Sequence, residues 1–388
     1  MSVVQVVKFV QHQKNGFAAN LCALLFLLSP VLSNMAIFEK LSFGDFTIIA
    51  TLIVCVLSTR KFDFNCFLGG VSLVVISLVA VFQYLNYYPE GVMVVVRMSF
   101  YMISFFIILS SFKSMKYSFA VKNIYLFMVL ISSVLLIFQV FVYNVFDAVF
   151  VYIDTPIDIQ PNSVLGLDIA TQGFRSGGLF KEPSYFAIFV APAMIYAASV
   201  RRSFLWLVIC CATMLSTSAL GFVFIMLSLT RFFNVRYLLF FSPIVIFCVG
   251  LVVSGIVPIL PDRVIQTMNG EGSLSIRVIE PFLRVFVDGD MFLPNYSVLQ
   301  DLADPDIAAG IWFNSISYAV VVFGVLAFIP IYFIFAVSGL NQFAFICVML
   351  IAVNGLTNPF FLVSVVVLKV LDDIIKFSPD RRRKIVFF

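Results

Sequence analysis

Residues 203–233, SFLWLVICCATMLSTSALGFVFIMLSLTRFF, decide how this chain is threaded. The run is too long for one upright membrane helix, which needs about 20 apolar residues, and short for two. Parity settles the choice. A single span would put Arg231, Arg236 and the tail Arg381-Arg382-Arg383-Lys384 on the side opposite the other basic turns, against the rule that Lys and Arg stay on the cytoplasmic side. Two short helices turning at Ser216-Thr217-Ser218 keep every basic turn together. A polar turn can sit below the membrane surface where it lines a protein cavity.

Composition requires a membrane. Hydrophobic residues make up 62% of the chain and charged residues 11%, with a mean hydropathy of +1.10. Soluble domains carry about 25% charged residues, so the chain is read as an all-α integral membrane protein. Apolar runs fall near 17–33, 43–58, 66–85, 92–112, 121–143, 184–200, 203–216, 219–233, 237–257, 309–336, 342–357 and 359–376. That gives about twelve transmembrane helices in a single polytopic domain spanning 1–388, with both termini cytoplasmic. The first run is too long, and too poor in small residues for cleavage, to be a signal peptide, so it is read as a retained span. Neither long loop contains a cysteine and no Cys-x-x-Cys spacing occurs, which argues against a disulfide framework.

With Lys8 and Lys14 inside, the turns at Arg60-Lys61, Lys113 to Lys122, Arg201-Arg202 and Arg231 to Arg236 are cytoplasmic. Two long loops, 144–183 and 258–308, then face outward and hold Arg175, Lys181, Arg263, Arg277 and Arg284. Basic residues gathered on the translocated face serve an anionic ligand better than they serve orientation, and a lipid phosphate or pyrophosphate fits. Loops of this length are commonly functional.

The first loop ends in Phe174-Arg175-Ser176-Gly177-Gly178-Leu179-Phe180-Lys181-Glu182-Pro183-Ser184-Tyr185-Phe186-Ala187. Gly177-Gly178 lets backbone approach a ligand. Pro183 suits the first position of a helix whose N-terminus favours phosphate. Arg175 can grip phosphate oxygens bidentately and Lys181 offers a compact charge. Glu182 is either a general base or a salt-bridge partner, and a helix start with a solvated Arg–Glu pair is the plain alternative. In the second loop, a helix over 274–286 would place Arg277, Glu280 and Arg284 on one face, turn Phe282, Val285 and Phe286 toward apolar surface, and be kinked or divided at Pro281. Arg97 lies inside the fourth span, where a charge costs about 2.5–3.5 kcal/mol at the centre. It either snorkels outward or faces a polar cavity and balances a phosphate. Asn314, Ser315, Ser317 and Tyr318 open the tenth span and can hydrogen-bond sugar hydroxyls or mark a helix start.

The Gly-Leu-Phe-Lys-Glu-Pro-Ser stretch, residues 178–184, resembles the Gly-Leu-Phe-x-Glu-Pro-Ser segment of bacterial O-antigen and exopolysaccharide polymerases of the Wzy type. The many-span layout, the two large periplasmic loops, the short hairpin between them and Asn358-Pro359 before the last span are similar too. Relatives often carry Arg just after the hairpin turn, where this chain has Ala219. The resemblance implies a GT-C type polymerase–ligase architecture in the bacterial inner membrane, with the active site facing the periplasm. It implies an undecaprenyl-pyrophosphate-linked oligosaccharide as donor and as acceptor, with Glu182, Arg175 and Arg277 catalytic. Arg97, Lys181, Arg284, Tyr185, Asn314 and Tyr318 would bind substrate. Membrane lipid, a chain-length regulator and a flippase are the expected partners, with no nucleic acid, no cofactor and no metal. Asp288-Gly289-Asp290 and Asp304-Pro305-Asp306 imitate a metal motif of nucleotide-sugar transferases, yet nucleotide sugars are cytoplasmic and both loops point away.

Two rivals stand beside this reading. An O-antigen ligase would use a periplasmic histidine, whereas the one histidine here, His12, falls in the cytoplasmic tail. A lipid-linked oligosaccharide flippase or transporter would carry charges along a central pathway and paired broken helices. Apart from Arg97 the spans are nearly free of charge.

Overall fold

Hydropathy reports where helices must form, because backbone amides in a bilayer have no water to bond. A computed structural model describes residues 17–33, 35–38, 41–58, 62–146, 176–180, 182–232, 280–287, 291–298, 313–353 and 355–377. The helices are α1 (Phe17–Leu32), α2 (Phe43–Ser58), α3 (Phe64–Tyr87), α4 (Val92–Phe112), α5 (Met115–Phe146), α6 (Pro183–Ser199), α7 (Ser203–Leu215), α8 (Ala219–Phe232), α9 (Ser315–Phe323), α10 (Phe328–Ser338), α11 (Phe343–Ala352) and α12 (Pro359–Phe377). Among the described residues, four helical stretches, Phe64–Tyr87, Pro89–Phe112, Tyr117–Phe146 and Ser315–Ser338, are long and apolar enough to cross a membrane. The chain is mostly helical and membrane-embedded. The ninth expected span, 237–257, lies outside the described residues.

Residues 203–232 divide into two helices, as the parity argument expects. Helices α7 and α8 are separated by Ser216-Thr217-Ser218, with Thr217 in the left-handed region at φ 54°. Ser216 Oγ donates to Thr213 C=O at 2.6 Å, and Ser218 Oγ accepts the Gly221 N–H at 3.3 Å, so both buried hydroxyls cap helix ends. Gly221 allows close approach, since a Cβ there would stand 2.5 Å from Thr213 Cγ2. Trp206 Nε1 donates to Ser228 Oγ at 2.9 Å.

The chain groups into two compact units. One comprises Met1–Gly70, Tyr101–Ser228 and Asn358–Phe388; the other Val71–Phe100 and Leu229–Thr357. The first unit is built around α6, buried from Phe186 to Ala198, which packs against α5, α7 and α12. Pro192 removes one N–H from that helix, and the consequences are repaired in full. The Ile188 C=O that it cannot serve accepts from Ser364 Oγ at 3.1 Å. One turn on, Tyr125 Oη donates to Phe189 C=O at 2.5 Å and accepts the Ala193 N–H at 3.2 Å, standing between two groups that an unbroken helix would join.

A two-stranded antiparallel hairpin, β1 (Ala36–Phe38) and β2 (Leu41–Ser42), leads into α2 and adds a small sheet to an otherwise helical reading. Ser42 and Asp45 cap that helix reciprocally: Asp45 Oδ2 accepts from Ser42 N at 2.7 Å, while Ser42 Oγ accepts the Asp45 N–H at 3.3 Å. The buried Asp45 carboxylate also accepts the Tyr101 hydroxyl from α4. At the opposite helix ends, Lys113 pairs with Asp63 at 2.6 Å, joining the turn before α3 to the turn after α4.

In the second unit, the stretch expected as one helix over 309–336 is interrupted. Helix α9 stops at Phe323, Gly324 takes φ 60° and ψ −153°, and a 3₁₀ turn, Gly324–Ala327, leads into α10. Segment 291–298 bonds into this break. Asn295 N donates to Val321 C=O at 2.9 Å, and Val325 N donates to Phe292 C=O at 3.5 Å. Val321 lies six residues inside the helix that opens at Ser315, about 9 Å along its axis. Helix α11 is shorter than the expected 342–357, because Val353 C=O accepts both Ser315 N (2.9 Å) and Ser315 Oγ (2.5 Å).

Candidate functional site

In the first unit, the motif stretch forms a turn docked on α5. Phe180 N donates to Gly177 C=O at 3.0 Å, and Gly178 has φ +64°, a left-handed conformation that suits glycine. The Ser176 hydroxyl donates to Gln139 Oε1, Gln139 Nε2 donates to Gly178 C=O at 3.3 Å, and Gly178 N donates back to Ser176 Oγ at 3.2 Å. A Cβ on Gly177 would stand 2.3 Å from Phe180 O, and one on Gly178 would stand 2.9 Å from Ser132 O. Close approach is therefore what the glycine pair provides, but the approaching backbone is the protein's own. Phe180 fills the floor of the turn, buried against Phe186, Phe189 and Phe360.

This anchoring fixes Glu182. It occupies the N-cap position of α6 with extended backbone (φ −129°, ψ 148°), and Pro183 follows as the first helical residue. Its carbonyl accepts the N–H groups of Tyr185 (3.1 Å) and Phe186 (3.2 Å), while its carboxylate accepts from Ser184 Oγ at 3.0 Å. Pro183 has no amide hydrogen, so Ser184 N–H is the early amide left to face an anion. The half-buried carboxylate stands where a negative charge is favoured. Tyr185 is partly exposed, with its ring stacked on Phe360 at 4.3 Å and 18°. Asn358 caps α12 by accepting Phe360 N–H at 3.1 Å, and Pro359 starts the helix, as the Asn-Pro reading expects.

The second unit holds a different constellation. Arg97 sits on α4 with its Nε buried, and its charge acts on the Tyr318 phenol of α9. Asn314 caps α9, its Oδ1 accepting Ser317 N–H at 2.9 Å, which answers the helix-start alternative in the affirmative. Arg284 is exposed on the helical turn Glu280–Phe282 and its π continuation Leu283–Val287, packed beside α9. The change of helix type comes at Leu283, two residues after Pro281. Val285 is buried, whereas Phe282 is half exposed and its ring meets Phe286 at 4.7 Å. The structure thus sets Arg97 and Tyr318 in one unit, and Glu182 with Tyr185 in the other. Arg175, Lys181 and Arg277 lie outside the described residues.

What the sequence reading missed is a group of tyrosines. Tyr84 is fully buried near the end of α3, and its hydroxyl has no hydrogen-bond partner among the described residues. The Tyr296 ring meets Tyr84 edge-on at 4.9 Å and stacks on Tyr87 at 5.8 Å. The phenols of Tyr296, Tyr318 and Tyr88 are its electrostatic neighbours. Burial pushes the Tyr88 phenol up, helped by the Glu90 charge, and does the same to Tyr296, helped by Tyr87, so both stay neutral donors at physiological pH. Gly91 makes room, since a Cβ there would stand 2.6 Å from the Tyr84 ring. The available signal was Tyr84, Tyr87 and Tyr88 at i, i+3 and i+4, a helical spacing just before Pro89. Compared with known protein families, with curated proteins and with solved structures, the chain matches none.

Proposed function

We propose that this protein is an O-antigen polymerase. In this reading it is a GT-C type glycosyltransferase of about twelve spans in the bacterial inner membrane, with cytoplasmic termini and a periplasmic active site. It joins undecaprenyl-pyrophosphate-linked oligosaccharide units. The observation that carries the reading is the segment 178–184, whose glycine, Phe180, Glu182 and Pro183 each have a defined place in the turn that presents the Glu182 carboxylate at the head of α6. Ser176 and Gln139 hold that turn in place against α5.

The reaction is a displacement at the anomeric carbon of the donor glycan. A hydroxyl of the acceptor unit attacks, the C–O bond to pyrophosphate breaks, and undecaprenyl pyrophosphate leaves with the electron pair, inverting the anomeric centre. Glu182 takes the proton of the attacking hydroxyl. Charge grows on the pyrophosphate in the transition state, so Arg175 and Arg277, with Lys181, Arg284 or Arg97, lower the barrier by meeting it with fixed cations. A chain-length regulator and a flippase serve the same substrate before and during elongation.

The surface-glycan ladder of a deletion strain tests this. The expected result is loss of the ladder with a single repeat unit still attached to lipid A core, and the same phenotype for Glu182→Gln. Bare core without the single unit would replace the polymerase by the ligase or the flippase, and lipid-linked polymer accumulating outside would select the ligase. Substantial polymerisation by Glu182→Gln would remove Glu182 as the base.

A further inference from the structure

A buried phenol normally finds a hydrogen-bond partner, because its hydroxyl gives up water on burial. Tyr84 departs from this rule at a place where partners are dense. Its hydroxyl is buried without a hydrogen bond among the described residues, although the Tyr296 ring meets the Tyr84 ring at 4.9 Å and the Tyr84 and Tyr88 rings both border Gly91. A tyrosine of an interfacial aromatic belt would keep its hydroxyl in water. Tyr87, exposed, fits that description and Tyr84 does not.

The surrounding backbone is equally unusual. Tyr296 belongs to segment 291–298, which is not a spanning helix yet bonds to Val321 and Val325 inside the stretch Ser315–Ser338. Irregular backbone inserted among spanning helices is tolerated where it is buried in protein or lines a polar cavity. Arg97 completes the group, because a charged residue within a span faces the protein interior or an aqueous cavity and marks a functional position. Aromatic faces with a few directed polar groups are the chemistry of a small-molecule site. A sugar ring matches it closely: its C–H face packs on an aromatic ring, and its hydroxyls both donate and accept, as a phenol does.

We propose that Tyr84, Tyr296 and Tyr318 form a subsite for a sugar of the lipid-linked substrate, with Arg97 at its charged edge. This rests on the polymerase reading above. A sugar hydroxyl supplies the partner that the Tyr84 hydroxyl lacks, while the Tyr296 ring, carried on the inserted segment, covers the sugar.

The test is Tyr84→Phe, which removes one oxygen from a buried side chain and leaves the ring contacts in place. A deletion strain is complemented with wild type or Tyr84→Phe, its glycan ladder is recorded, and the melting temperature of each purified full chain is measured in detergent. The expected result is a melting temperature equal to or above wild type, with the ratio of polymer to single units reduced about tenfold, the loss of one hydrogen bond to substrate. A wild-type ladder from Tyr84→Phe overturns the subsite while leaving the polymerase reading intact. A reduced ladder with a lowered melting temperature also overturns it, since the hydroxyl would then serve the fold. If the deletion strain keeps its full ladder, the polymerase reading fails, and the subsite with it.

Discussion

Gly324 is the position where the inserted segment can be tested most directly. Its φ of 60° and ψ of −153° lie in a region essentially reserved for glycine. A Cβ there would stand 2.5 Å from Phe292 O and 3.0 Å from Leu293 C, both backbone atoms that cannot rotate aside. Gly324→Ala therefore carries about 1–3 kcal/mol of backbone strain. Expelling the Phe292 carbonyl and loosening the Asn295–Val321 hydrogen bond adds about 1 kcal/mol, for a total of about 2–4 kcal/mol. Gly339 is the control: it has φ 89° and ψ 162°, but nothing lies within 4 Å of the place its Cβ would take, so Gly339→Ala carries strain alone. Gly70, inside α3 and with open space around it, should gain about 0.5–1 kcal/mol on becoming Ala. Unfolding of the purified protein in mixed micelles with rising denaturing detergent ranks the three. The expected order of stability is Gly70→Ala, wild type, Gly339→Ala, Gly324→Ala. If Gly324→Ala unfolds with or after Gly339→Ala, segment 291–298 contributes no stability at the break and the insertion argument fails.

The repair of α6 at Pro192 predicts a coupling. Ser364→Ala leaves the buried Ile188 C=O without its donor and should cost about 1–3 kcal/mol. Pro192→Ala supplies an N–H for that carbonyl, so the double variant should recover about 1 kcal/mol, and strictly additive losses would refute the repair. The Asp63–Lys113 pair predicts a pH dependence. Burial alone would raise the Asp63 carboxyl, but the Lys113 hydrogen bond and the Cys66 amide outweigh it and hold it below the ordinary carboxylate value. Its stabilisation is thus fully present above about pH 4, the unfolded value, and is lost as pH falls through the lower folded one. Both side chains are about a third exposed (32% and 35%), which limits the pair to about 0–1 kcal/mol. Lys113→Met should lower the melting temperature slightly at pH 7, and the gap should close in acid; a gap independent of pH would dismiss the pair.

Helix positions were legible wherever local chemistry decides them. The turn at Ser216–Ser218 followed from span length and charge sidedness, and Pro183 and Pro359 announce helix starts by lacking the N–H that a first turn leaves idle. Hydropathy failed where the partner of a backbone group is distant in sequence. Residues 309–336 read as one apolar run, because Gly324 contributes nothing polar and the segment that breaks the helix arrives from Phe292 and Asn295. The end of α11 is hidden for the same reason: Val353 terminates the helix because Ser315 takes its carbonyl. At the candidate site, Glu182 was legible from the motif. The role of Gly177-Gly178 was not, since Ser132 and Gln139, which receive the turn, lie some forty residues earlier in α5. Tyr84 was written in a helical pattern of tyrosines, but nothing in that pattern says that its hydroxyl has no hydrogen-bond partner among the described residues.

Both units contain a break in an apolar helix, and the two breaks are repaired in different ways. At Pro192 the lost bonds are replaced by Tyr125 and Ser364, side chains of neighbouring helices that are themselves buried. Such a repair has no moving part, and its members pack too tightly to admit a ligand. At Gly324 the bonds are made by segment 291–298, whose attachment includes one contact at the limit of hydrogen-bond length, Val325 N to Phe292 O at 3.5 Å. Among spanning helices, withdrawal of that segment would leave Val321 C=O unserved, so it stays in place unless something polar replaces it.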